Sequence, residues 1–263
     1  MDIRFHWMQR IHWPCDNPGM VQMSKALEDL GIVSVLLPTS PGGNDFMLHL
    51  PDVFRATNKI KMMVALTAYA VTPEYAARSF YSIQEYGPNR LNLNLVAGRY
   101  NDHFAKIAID NYPGDTTLID THEKRVAMTE KWMEKFINLT KNEPYKIETA
   151  VVGTSETTIK IANKYTDYIF INNPNETKNI NNSKPILVID PLILDNGKNI
   201  EDVEYHGYEF TKKPSHPFSG TLVEMKEIIK NLSYDYNIND FMIHTDQKDV
   251  SQIFRLIKDM TTE

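Results

Sequence analysis

"LNLNLVAGRYND", residues 91–102, reads as a buried strand that ends at Gly98. Leu91, Leu93 and Leu95 alternate with Asn92 and Asn94, so both asparagines lie on one face. A barrel interior is normally filled by branched aliphatics. A buried amide left without a partner costs about 1–3 kcal/mol. Asn94, near the strand's end, therefore either faces a ligand with a mixed donor–acceptor edge or bonds to neighbouring strands or water. Gly98 then gives way to Arg99, Asn101 and Asp102, a polar exit.

Around this segment the chain alternates short apolar runs with helical patterns. The expected strands are Ile3–Trp7, Val33–Leu37, Lys61–Leu66, Leu91–Val96, Thr149–Val152, Tyr168–Ile171, Ile186–Asp190 and Asp240–His244. Apolar runs of this length suit strands covered on both faces. The expected helices are Met20–Leu30 ending in Gly31, Asp45–Thr57 with Pro51 setting a start or a kink, Pro73–Tyr86 with Thr72 as N-cap, Thr121–Leu139, Ser155–Tyr165, Thr221–Leu232 and Asp249–Met260. Asn172–Asn182 is too polar for a sixth barrel helix, and Pro191–Ser219 reads as a long irregular segment. Alternating strands and helices imply right-handed crossovers and a parallel sheet. Eight strands in 263 residues favour an α/β fold of the (β/α)8 TIM-barrel type, with residues 1–263 as one domain.

Composition narrows the function. The formal charge of −6 gives no basic footprint for nucleic acid. Cys15 is the only cysteine, so no intramolecular disulfide forms, which fits a reducing compartment. No run of about 18 apolar residues suggests a membrane span, and the N-terminus lacks a signal-peptide core. The expectation is a cytoplasmic protein.

Barrel sites sit at the C-terminal ends of the strands. The residues expected there are His6, His12 and Trp13, then Thr39, Thr67, Tyr69, Asn94, Val96, Gly98, Arg99, Gly153, Thr154, Ser155, Asn172, Asp190 and His244. "VVGTSETTIKIA", residues 151–162, runs a strand through Gly153-Thr154-Ser155 into a helix. Free backbone N–H groups, two hydroxyls and a bare glycine suit a phosphate; an ordinary N-cap reads the same way. "DTHEKR", residues 120–125, opens a long helix, and Arg125 has either a phosphate or solvent to face. The histidines match no metal-ligand spacing such as HExxH, and there is no GxSxG elbow, P-loop or GxGxxG. Nothing activates Cys15.

"LEDLGIVSVLLPT" at residues 27–39, "ATNKIKMMVALTAYAVTPEYAARSFYSIQEYGPNRLNLNLVAG" at 56–98, "VVGTSETTIKIANKYTDYIF" at 151–170 and "SGTLVEMKEIIKNL" at 219–232 resemble the luciferase-like flavin-dependent monooxygenases, in their alkanesulfonate monooxygenase branch. The likeness is continuous in the first half and patchy beyond residue 172. It implies a bacterial-luciferase-like TIM barrel that takes reduced flavin mononucleotide (FMN) from a separate flavin reductase and uses dioxygen to oxygenate a small-molecule substrate. Some relatives use a deazaflavin and transfer a hydride; FMN is the expected cofactor here. The resemblance places Thr67, Asn94 and Val96 against the flavin ring, Gly98 at a turn beside it, and Gly153, Thr154, Ser155 and Arg125 at its phosphate. It puts His12 near a histidine that faces the active site, and on the monooxygenase reading His12, His6 or Arg99 helps place substrate or a proton. It also implies a homodimer or homotetramer, for which Phe80, Tyr81 and Tyr86 are contact candidates unless they are core.

The chain departs from the pattern in places. Gly43 stands where the branch has a cysteine, "KPILVIDPLIL" lacks its arginine and histidine, and "KKPSHPFSG" replaces its arginine-bearing lid, so late-strand insertions are reduced. Flavin binding is thus better supported than alkanesulfonate turnover. The alternatives are a non-catalytic flavin-binding protein that has lost the lid and, without support from spacing, a barrel hydrolase.

Overall fold

The computed structural model describes residues 2–9, 17–38, 45–98, 114–194, 218–245, 247 and 249–262. Eight parallel strands close into a barrel: β1 (Arg4–Met8), β2 (Ser34–Leu37), β3 (Lys61–Thr67), β4 (Leu91–Val96), β5 (Thr149–Val152), β6 (Tyr168–Ile171), β7 (Lys184–Ile189) and β10 (Asp240–Ile243). Their order around the ring is β1-β10-β7-β6-β5-β4-β3-β2. Each expected strand is present, shifted by no more than two residues at either end. A short parallel pair, β8 (Leu192–Ile193) with β9 (Ser219–Gly220), stands beside the barrel and was not expected.

Among the described residues seven α-helices surround the barrel: α1 (Asn17–Asp29), α2 (Leu50–Ala56), α3 (Pro73–Gln84), α4 (His122–Thr140), α5 (Glu156–Tyr165), α6 (Leu222–Tyr236) and α7 (Ser251–Thr262). Their ends follow local chemistry. The side chains of Thr72, Thr121, Ser155 and Thr221 each accept from a backbone N–H in the first turn of α3, α4, α5 and α6. Thr221 and Glu224 complete a capping box. After α1, Gly31 N–H reaches Glu28 O and Ile32 N–H reaches Leu27 O, a Schellman stop. Pro51 stands at the start of α2, behind a 3-10 turn over Phe46–His49. The asparagine-rich stretch after β6 forms a 3-10 helix over Pro174–Asn179, where six other connections carry an α-helix.

The barrel wall separates two apolar clusters. Phe5, Trp7, Val35, Leu37, Val64, Leu93, Ile169 and Phe241 face outward into the helix layer. Leu36, Met63, Ala65, Ala150, Phe170, Ile186 and Met242 fill the interior. Phe80 belongs to the outer core, stacked edge-on to Phe136 at 5.8 Å, whereas Tyr86 is exposed. Phe80 is therefore core and not a contact residue.

Below the interior cluster lies a polar floor. The first inward residues of β1, β2, β3, β4, β6, β7 and β10 are Arg4, Ser34, Lys61, Asn92, Tyr168, Lys184 and Asp240, and Glu148 precedes β5. Arg4 Nη2 lies 2.5 Å from Asp240 Oδ2, and His6 Nε2 lies 2.9 Å from Asp240 Oδ1. Lys61 Nζ lies 2.6 Å from Glu148 Oε2, to which Asn92 Nδ2 also donates at 3.0 Å. Burial pushes Asp240 up, but the hydrogen bond and charge of His6 and the cation of Arg4 outweigh it and hold the carboxyl below its ordinary range. Burial, with Glu148 and Asp240 nearby, pushes the Tyr168 phenol up to about 12.

Candidate functional site

The strand alternation that builds the floor also builds the mouth. In the register, Ala65 of β3 and Ala150 of β5 flank Asn94 of β4. Asn94 is 1% exposed, and its carbonyl oxygen is buried without a hydrogen-bond partner among the described residues. The flanking alanines offer neither a polar partner nor bulk. One step higher, Thr67 pairs with Val96, both half-buried. Val152, in step with Ala150 and paired with Phe170, ends β5 with 43% of its surface exposed. The result is a small apolar bed at the C-terminal end of β3–β5 with one bare acceptor in it.

The sequence reading missed Val152. Counting by twos from Ala150 would have placed it on the inward face at the barrel mouth.

The bed runs directly into a helix start. Gly153 follows Val152 with φ of +121°, a conformation that side chains rarely adopt. Thr154 is half-buried and Ser155 exposed. Ser155 Oγ accepts from Thr158 N–H at 3.2 Å and lies 2.8 Å from Thr158 Oγ1, so Ser155 works as the N-cap of α5. Both expected readings of this turn, cap and anion seat, are compatible with that geometry. Glu156, at the first position of the helix, leans away along the helix to Lys160 at 2.8 Å.

At the exit of β4, Gly98 has φ of +75°, and a Cβ there would come within 2.6 Å of Tyr69 Oη. The turn beside the bed thus needs glycine for its backbone and for the ring packed on it.

Two residues expected in the site are committed elsewhere. His6 does not follow β1 but sits inside it, 3% exposed, in the interior. Its Nδ1 lies 2.7 Å from Ser34 Oγ and its Nε2 against Asp240, so both ring nitrogens are engaged at floor level. Arg125 is 2% exposed, and its Nε and Nη1 donate to Ala97 O at 3.2 Å and Ile119 O at 2.8 Å. A buried guanidinium satisfies its donors with carbonyls close by, which the helical pattern of "DTHEKR" does not reveal.

Asn92 also differs from its twin: its amide nitrogen is tied to Glu148 in the floor, although its carbonyl oxygen too lacks a partner.

Elsewhere on the rim, His244 follows β10 and its N–H donates to Ile189 O at 2.9 Å, which brings it beside Asp190 at the end of β7. Gln247 Nε2 donates to Pro191 O at 2.8 Å. His12, Arg99, Thr39, Gly43 and the segment 212–217 of the expected lid replacement lie outside the described residues. Among the described residues no group of three or more His, Cys, Asp or Glu is placed to hold a metal ion, and no helix is long and apolar enough to cross a membrane.

No family model matches the sequence. Solved structures do resemble the fold. A long-chain alkane monooxygenase (LadA) superposes with a TM-score of 0.75 at 11% identity, over 100% of this chain and 91% of its own. A riboflavin lyase (RcaE), solved with modified FMN and riboflavin, gives 0.74 at 11% identity, over 100% and 92%. A coenzyme F420-dependent tetrahydromethanopterin reductase from Methanopyrus kandleri gives 0.65 at 12% identity, over 100% and 98%. At such identities the likeness establishes the fold alone, a TIM barrel.

Proposed function

We propose that this chain is the oxygenase of a two-component flavin-dependent monooxygenase, using reduced FMN and dioxygen on a small organic substrate, with organosulfur compounds among the candidates. One observation carries the reading: a buried carbonyl oxygen on Asn94, without a partner among the described residues and set in an apolar bed at the barrel mouth. Structural neighbours that include a monooxygenase and an FMN-containing enzyme support it.

The residues fit the cofactor. A flat ring needs apolar cover and a few polar fixings, which Thr67, Val96, Val152 and Asn94 offer. A phosphate needs backbone N–H groups and hydroxyls, which Gly153, Thr154 and Ser155 offer one residue beyond the bed. Reduced flavin, when bound, supplies the reactivity toward dioxygen. The protein's part is to seat the ring on the β3–β5 bed, meet its hydrogen-bonding edge with Asn94, and shield the mouth from water. His12 and Arg99 remain the proposed groups for substrate and proton handling. A separate reductase supplies the reduced flavin, and a cytoplasmic homodimer or homotetramer is the proposed state.

Titration with oxidised and anaerobically reduced FMN, followed by flavin fluorescence and calorimetry, tests this reading. Reduced FMN should bind at micromolar affinity or better, and more tightly than oxidised FMN. Equal, tight binding of both would instead mark a flavin carrier. Binding of a deazaflavin but not FMN would reassign the cofactor, and no binding of any would end the proposal.

A further inference from the structure

The buried face of α4 carries Arg125, Val126, Thr129, Trp132, Met133 and Phe136. Two polar side chains on this face reach past the helix to the barrel exits. Arg125 donates to Ala97 O, just past β4, and to Ile119 O, just before α4. Two turns on, Trp132 Nε1 donates to Val71 O at 2.6 Å, in the turn after β3. The exits also lock onto each other, because Tyr69 from the β3 exit packs against Gly98 of the β4 exit. One helix face therefore fixes the ends of the two strands that present Thr67, Asn94 and Val96.

We infer that Arg125 is a positioning residue for the ring bed: it sets the β4 exit through main-chain carbonyls and does not serve as a phosphate ligand. The guanidinium suits this task. It is planar, stays charged, and offers several donors in a fixed fork, so one side chain holds two carbonyls that lie far apart in sequence. Lysine keeps the charge but not the fork. The functional consequence rests on the reading of the mouth as a flavin seat; the brace itself does not.

The test uses Arg125→Ala, Arg125→Lys and Trp132→Phe in the full chain, with three readouts. Hydrogen exchange, read by mass spectrometry over residues 67–71 and 91–98, needs no ligand and should rise in Arg125→Ala at both exits. Affinities for FMN and riboflavin should fall by the same factor, about tenfold or more for loss of charged hydrogen bonds. The visible circular dichroism of saturating bound flavin should change, since the ring seats differently, and low-millimolar guanidinium should restore both affinity and spectrum in Arg125→Ala. Arg125→Lys should recover less than half of the loss, and Trp132→Phe should show the same pattern more weakly. A loss for FMN much larger than for riboflavin would make Arg125 a phosphate ligand and overturn the inference. Unchanged exchange at the exits would also overturn it. If the wild-type chain binds neither flavin, the proposed function falls, and the exchange readout alone decides the brace. If Arg125→Ala does not fold, Arg125→Lys and Trp132→Phe decide it.

Discussion

The floor and the mouth of this barrel are built from the same strands, yet the floor gathers paired charges and the mouth a neutral amide among small apolar side chains. At the floor, Asp240 is shared by Arg4 and His6, and Glu148 by Lys61 and Asn92. At the mouth, Asn94 keeps a buried carbonyl oxygen without a partner among the described residues, and Val152 keeps an exposed apolar surface. Paired charges hold a fold in one register. A bare acceptor beside uncovered valine lowers stability and makes sense when something else completes it. The contrast teaches where to look for each property: stability at the strand starts, binding at the strand ends.

The largest expected effect tests the floor. Asp240→Ala leaves Arg4 and His6 facing each other in the barrel without their carboxylate. Removing one partner of a buried ion pair costs about 3–5 kcal/mol, to be read from urea unfolding midpoints. Flavin affinity of the folded fraction should stay within error. A variant as stable as wild type would mean that the floor network does not hold the register.

Acid sharpens the same point with a smaller effect. The folded Asp240 carboxyl lies below its ordinary range, so its contribution is fully present above the unfolded carboxylate value of about 3.9 and is lost as pH falls through the lower folded value. Below about pH 4 the unfolding free energy of wild type should fall more steeply than that of Asp240→Asn. Parallel curves would assign acid sensitivity to other carboxylates.

Asn94→Ala tests the mouth and should behave in reverse. It removes an unsatisfied buried acceptor, so stability should change by less than about 1 kcal/mol. Reduced FMN affinity should fall about tenfold, as for the loss of one good hydrogen bond in a dry site. A large stability loss with intact binding would place Asn94 with the floor residues.

The smallest expected effect is at the start of α5. Glu156 sets a negative charge at the helix end proposed to receive phosphate. Glu156→Gln should tighten FMN about twofold while leaving riboflavin unchanged, the size of one charge at a helix terminus. Tightening of both, or of neither, would move the phosphate away from this turn.

Much of the architecture is legible in the sequence because local chemistry decides it. Apolar runs give the eight strands, and Thr72-Pro73, Thr121, Ser155 and Gly31 mark helix ends through capping. The pair β8 and β9 escaped, since two residues per strand carry no period to detect. His6 and Arg125 were legible as candidates but not as to role. A histidine or arginine pattern is the same whether its partners are a ligand, a carboxylate 234 residues away or a main-chain carbonyl just past a strand.

By itself, then, the sequence determined the alternation of strands and helices, the two asparagines on one face of β4, and a glycine turn leading from β5 into a helix. Only the tertiary structure decided that Asn92 donates to Glu148 in the floor while Asn94 lies between two alanines. Spacing of two along a strand fixes which face a side chain occupies; the register with neighbouring strands fixes what it meets there, and that register is a property of the closed barrel.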